Sequence, residues 1–118
     1  MLSPLETAQF YFELSNKSNL DTIENLFTET STYSSQSIGI YLGRDSIMAM
    51  QRVFHSNFSS LQWRVNSVEE VKPGITLFNF DFVGETLAGE KVVTSGLEYI
   101  IVHQGKIQHI EIRDKLSL

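Results

Sequence analysis

Apolar residues recur at two different periods along this chain, and the change falls near residue 60. Before it the spacing is helical. Ser3-Pro4-Leu5-Glu6 has the form of a helix start: Ser3 can cap, Pro4 suits the first helical position and Glu6 closes a capping box. Leu5, Ala8 and Phe12 repeat on one face with Tyr11 and Leu14 beside them, and Asn16-Lys17-Ser18-Asn19 ends the helix. Ser18 or Asn19 caps a short second helix carrying Leu20, Ile23, Leu26 and Phe27. Ser31-Thr32-Tyr33-Ser34-Ser35 predicts a polar strand, and Gly39-Ile40-Tyr41-Leu42-Gly43 a short segment between glycines. Arg44 opens a third helix with Ile47, Met50, Phe54 and Phe58 at helical spacing and Val53 adjacent; Asn57 and Ser59-Ser60 stop it.

From Leu61 onward the period is two. Leu61, Trp63 and Val65 alternate with Gln62, Arg64 and Asn66. Lys72-Pro73-Gly74 predicts a tight turn, with Pro and Gly in the central places of a type II turn. Phe78, Phe80 and Phe82 then share one face, with Asn79, Asp81 and Val83 on the other. After a turn at Leu87-Ala88-Gly89-Glu90, two β-branched runs flank His103-Gln104-Gly105, the signature of an antiparallel hairpin. In its first arm Val92, Ile100 and Val102 share one side, and Val93, Leu97, Tyr99 and Ile101 the other. Both sides are apolar, so both are expected to be covered: one by the helices, the other by a partner. In the second arm the phase breaks between Ile107 and Ile110, which predicts a bulge near Gln108.

Helices segregated from an antiparallel meander predict an α+β domain, with three helices in the N-terminal half packed on a strongly curved sheet by way of the triple-Phe face. A twisted sheet wrapped around helices leaves a cone whose open end is a pocket. Glu98 shares parity with Ile100 and Val102 and so sits inside a buried strand. A buried acid must be paired, protonated or functional.

Composition narrows the function. With 118 residues the chain is expected to be one domain, 1–118, large enough for a core. No cysteine is present, which removes disulfides, thiolate chemistry and zinc–thiolate sites. The net charge of −5 argues against a nucleic-acid surface. No run reaches membrane-spanning length and no basic flank precedes an apolar leader, so a cytoplasmic location without membrane attachment is expected. Asn16-Lys17-Ser18 and Asn57-Phe58-Ser59 match the glycosylation pattern and are taken as chance occurrences.

Several short motifs carry a resemblance that spans nearly the whole chain. They are Asn19-Leu20-Asp21 and Leu26-Phe27, Gly43-Arg44-Asp45-Ser46-Ile47, Gly84-Glu85-Thr86 with Gly89, and Gly105-Lys106-Ile107 with Asp114. In this order and spacing the chain resembles the nuclear transport factor 2-like superfamily, within it the ketosteroid isomerase-like and SnoaL-like polyketide cyclase branches. The resemblance implies a cystatin-like cone, with the three helices on a curved mixed or antiparallel sheet. The isomerase branch uses a tyrosine and a protonated acid as an oxyanion hole, and a strand aspartate as base. Counted from the motifs, the tyrosine falls on Tyr11, the protonated acid on Glu98 and the base on Ser35. A serine hydroxyl is no base near neutral pH, so the isomerase reaction itself is not carried over.

Four residues are therefore candidates for chemistry. Tyr11 is an oxyanion donor or a packed helix tyrosine. Glu98 is a proton donor in an apolar cone, or a carboxylate paired to an Arg or a hydroxyl. Asp114, in phase with Ile110 and Ile112, reaches the pocket or forms a solvated Arg113-Asp114-Lys115 end. His55 is a substitute base or a helix boundary residue. Phe54, Phe58, Trp63, Phe78, Phe80, Ile100, Ile110 and Ile112 are expected as core that also lines the pocket. His103, His109 and Glu111 read as outer-face groups; His109 and Glu111 could hold a metal only weakly, so no metal and no cofactor is expected. Two functions follow. One is a cofactor-independent acid–base enzyme acting on a small apolar molecule by isomerisation, dehydration, cyclisation or hydrolysis. The other is a noncatalytic ligand-binding or dimerisation module, a homodimer joined through the outer sheet face at Leu97, Tyr99 and Ile101.

Overall fold

The computed structural model describes residues 1–115. Its elements are α1 (Pro4–Asn16), α2 (Leu20–Glu24), β1 (Phe27–Ser35), β2 (Gly39–Leu42), α3 (Arg44–Ser56), β3 (Phe58–Lys72), β4 (Ile75–Thr86), β5 (Lys91–His103) and β6 (Lys106–Asp114). The strands form one open sheet in the order β2-β1-β6-β5-β4-β3. Only β1 and β6 run parallel; all other neighbours are antiparallel. This is an α+β architecture with a mixed sheet, three helices lying on one face.

Local chemistry sets the element ends. Ser3 Oγ accepts from the Glu6 N–H while Glu6 Oε1 accepts from the Ser3 N–H, so the capping box closes in both directions. Asn19 caps α2 by accepting from the Thr22 N–H at 3.3 Å. Two boundaries fall earlier than helical spacing suggests. Helix α2 ends at Glu24, which releases Leu26 and gives Phe27 to β1. Helix α3 ends at Ser56, and Phe58 begins β3. The β5–β6 turn is a two-residue one. Gln104 (φ 52°) and Gly105 (φ 77°) both take the left-handed region, as a type I′ turn requires, and His103 pairs with Lys106. Gln108 is the bulged residue: Ile101 faces His109, Val102 faces Ile107, and Gln108 has no opposite number.

Strand alternation selects the buried face. Phe78, Phe80 and Phe82 of β4 point inward beneath the helices. The Phe12 ring of α1 lies 4.4 Å from that of Phe78 and 6.4 Å from that of Phe80. Each such ring removed from water contributes about 1.5–3 kcal/mol. Helix α1 packs across β3, β4, β5 and β6, and α3 against β1, β2 and β3. Among the described residues the outer face has no such cover: Leu97, Tyr99 and Ile101 of β5 are half-buried, and Val93 is exposed.

Candidate functional site

Between the helices and the inner sheet face lies a cavity of about 210 Å³. A cavity of roughly 150 Å³ holds a benzene ring, so this one has room for a little more than that. Its depth is graded along β5 and β6. Ile100 opposes Ile110 in solid core, Glu98 opposes Ile112 on the cavity wall, and Gly96 opposes Asp114 nearer the opening. At about 3.3 Å of strand rise per residue, Asp114 stands roughly 7 Å further out than the Glu98 level.

Glu98 is 3 % exposed, and its Oε2 has no hydrogen-bond partner. Burial without a compensating charge pushes its carboxyl up to about 8. At neutral pH it therefore keeps its proton and can donate a hydrogen bond. Tyr11, on helix α1 packed against β5, is likewise buried. Its Oη accepts from Gln51 Nε2 at 2.8 Å, which leaves the phenol proton free to donate. Burial first, and then the nearby Glu98 carboxyl, holds the Tyr11 phenol well above its ordinary range. Tyr33 of β1 is buried beside them and raised by the same desolvation. The inner end of the cavity is thus an uncharged, proton-donating floor.

The other wall is aromatic. Trp63 and Phe82 stand 4.9 Å apart between ring centroids, with Phe54 5.6 Å from Phe82 and 5.2 Å from Phe58. Missing side chains make space for these rings. A Cβ at Gly84 would lie 2.7 Å from the Phe58 ring, and one at Gly96 3.0 Å from the Phe80 ring. His55 closes this side. Its ring packs 5.5 Å from Trp63, and its Nδ1 is hydrogen-bonded to Ser18 Oγ at 2.9 Å. Partial burial lowers the imidazole from its ordinary value, so it is neutral at pH 7. Among the described lining residues the ionisable groups other than tyrosine are Glu98, Asp114 and His55, with no lysine or arginine.

Solved structures with this architecture come from distant sequences. An NTF2-like protein of unknown function from Burkholderia pseudomallei is 11% identical, with 98% of this chain and 92% of that one covered at a TM-score of 0.83. A hypothetical protein with ketosteroid isomerase-like fold from Catenulispora acidiphila, in complex with trimethylamine, is 13% identical over 95% and 87% at 0.82. The fold is nuclear transport factor 2-like. An epoxide hydrolase of the LEH-like type from M. tuberculosis has it too, at 9% identity over 92% and 80% with a TM-score of 0.81. No family model and no curated protein sequence matches the chain.

In this nuclear transport factor 2-like cone, Tyr11, His55, Glu98 and Asp114 all line one cavity, together with Phe54, Phe58, Trp63, Phe80 and Ile112. Three expected lining residues do not. Phe78, Ile100 and Ile110 are at most 1% exposed and lie in the core beneath the floor, because sharing a sheet face does not fix depth along it. Two floor residues escaped the sequence reading. Gln51 is 5% exposed and stands four residues after Ile47 on the inward face of α3, whereas Val53 turns to water. Tyr33 shares parity with the buried Ser31 and Ser35. Ser35, at the isomerase base position, also lines the cavity, its Oγ accepting from the Ile38 N–H.

The outer-face residues are held among themselves. His109 Nδ1 is hydrogen-bonded to Thr32 Oγ1 at 2.7 Å and its Nε2 to Glu111 Oε1 at 2.8 Å; Arg113 pairs with Glu111. Asp81 accepts from Ser95 Oγ and Asn66 Nδ2, which hold its carboxyl below the usual range. Among the described residues no three His, Cys, Asp or Glu side chains form a metal-holding group, and no helix is long and apolar enough to cross a membrane.

Proposed function

We propose that the cone binds a small, largely apolar molecule, and that Glu98 and Tyr11 donate hydrogen bonds to its one acceptor, a carbonyl or hydroxyl oxygen. The observation that carries this reading is the buried, unpartnered Glu98 carboxyl on the wall of an apolar cavity. Leaving such a group unsatisfied costs on the order of 1–3 kcal/mol, which a ligand acceptor recovers. A small organic molecule is also what the ketosteroid isomerase-like neighbour is complexed with, and another neighbour of this fold is a hydrolase. Two donors aimed at one oxygen stabilise charge that develops there. With neutral His55 or Asp114 taking a proton, the activity to look for is acid–base turnover: isomerisation, dehydration, cyclisation or hydrolysis.

Acetophenone, an uncharged carbonyl probe, tests the reading when titrated by NMR alongside the Glu98 side-chain carboxyl. Binding is expected to weaken as pH rises through about 8, where Glu98 loses the donated proton. E98Q, which keeps a donor but cannot ionise, is expected to bind without that dependence. Benzoate, of similar shape but anionic, is expected not to bind, since the described lining offers no lysine or arginine. A Glu98 carboxyl titrating in the ordinary 4–5 range overturns the proposed donor.

The half-buried Leu97, Tyr99 and Ile101 favour a second reading, in which the outer sheet face also joins two copies. Light scattering across a concentration series tests it; a monomer at every concentration rejects it.

A further inference from the structure

The last residue of α1 and the turn after it reach two rings on the cavity's aromatic side, those of Trp63 and His55. Strand β3 is one of the two edges of the sheet, so its outward N–H and C=O groups have no strand neighbour among the described residues. Among the described residues, a side-chain amide stands in for the missing strand at Trp63. Asn16 Oδ1 accepts from the Trp63 N–H at 2.7 Å, and Asn16 Nδ2 donates to the Trp63 carbonyl at 3.0 Å. Two residues on, Ser18 Oγ holds His55 Nδ1 at 2.9 Å. Ser18 does so from the left-handed region (φ 51°), which is costly for a residue with a Cβ. The two residues held are themselves packed ring against ring. Lys17 Nζ takes no part in either contact, and Asn16 and Ser18 are both exposed, so neither is needed to fill the core.

We infer that Asn16 and Ser18 are positioning residues for the cavity, setting the placement of Trp63 and His55 and hence the shape of the aromatic wall a ligand meets. They touch no ligand themselves. Asn16 fixes the backbone from which the indole projects, and Ser18 fixes the imidazole that packs against it. The stability of the domain rests elsewhere, on the buried rings and aliphatic chains of the core. Loss of either contact should therefore loosen the wall while leaving the fold in place. This inference rests on the ligand-binding reading above only for its binding arm.

Trp63 is the sole tryptophan, so its emission reports the wall directly, with or without ligand. The experiment compares wild type with N16A and S18G. S18G deletes the hydroxyl and relieves the left-handed backbone at once, so lost function cannot be blamed on lost stability. Without ligand, both variants are expected to raise acrylamide quenching of Trp63 at least twofold, with a melting temperature within a few degrees of wild type. With acetophenone, both are expected to weaken binding at least fivefold. N16D, which keeps the acceptor for the Trp63 N–H but not the donor, should fall between. Unchanged quenching in both variants overturns the inference. Increased quenching with wild-type acetophenone affinity also overturns it, since the wall would then not matter to the ligand. If wild type itself binds no acetophenone but quenching rises as expected, the positioning role stands and the carbonyl-ligand reading falls.

Discussion

Glu98 and Glu111 lie on neighbouring strands, one residue out of phase, and meet opposite treatment. Glu111 faces outward, half-buried, with His109 on one oxygen and Arg113 on the other. Glu98 faces inward, has no partner on Oε2, and is pushed up to about 8 by desolvation alone. The same carboxyl group is therefore held by paired charges on one face of the sheet and kept as an uncharged acid on the other. What separates them is the availability of water and of a cation, since distance along the sheet is negligible. An unpaired acid in an apolar wall is a poor structural element and a good hydrogen-bond donor.

The sharpest way to break this contrast is to change pH. The folded protein holds the Glu98 proton up to about pH 8, whereas the unfolded chain releases it near 4.5. Between those values the folded state binds the extra proton, so stability falls as pH rises through the window. The contribution is fully present below pH 4.5 and gone above about 8. At about 1.4 kcal/mol per pH unit it amounts at most to on the order of 5 kcal/mol. Chemical denaturation from pH 4.5 to 9 should show this slope in wild type and lose it in E98Q; identical slopes would mean that Glu98 is not the group responsible.

Smaller effects sharpen the picture. Y11F removes the one acceptor that Gln51 Nε2 has among the described residues and should cost about 1–3 kcal/mol in urea unfolding, as for any buried donor left unpaired. G96A should cost a comparable 1–3 kcal/mol, because its Cβ would meet the Phe80 ring at 3.0 Å and the Arg113 carbonyl at 3.1 Å. It should also weaken acetophenone binding by crowding the wall. On the outer face, E111Q should cost no more than about 1 kcal/mol, and that cost should shrink in high salt. An E111Q loss as large as the Glu98 effect would erase the distinction between the faces.

Much of this contrast was written in the sequence. The parity of Glu98 with Ile100 and Val102 placed it inward, and the uneven spacing of Ile107 and Ile110 located the bulge at Gln108. Alternation reports which face a residue takes, and those assignments followed from it. It does not report depth. Phe78, Ile100 and Ile110 share the cavity's face yet lie below its floor, where only the helix packing decides. Gln51 was hidden for a related reason. A polar residue on a helix is expected to face water, and only its spacing from Ile47 hinted otherwise. The contacts of Asn16 and Ser18 join residues 47 and 37 positions apart, which no local pattern encodes.

The parallel pairing of β1 with β6 has a kinetic consequence. Among the described strands, the hairpin of residues 27–42 pairs with the rest of the sheet through β6 alone, in a ladder that runs from residue 107 to 112. Closing that loop of some eighty residues must precede any reward from the contacts it makes, so assembly should be slow compared with a helical bundle of equal size. Until the last strand docks, Tyr33 and Ser35 have no neighbour on that side, and the hollow has one wall too few.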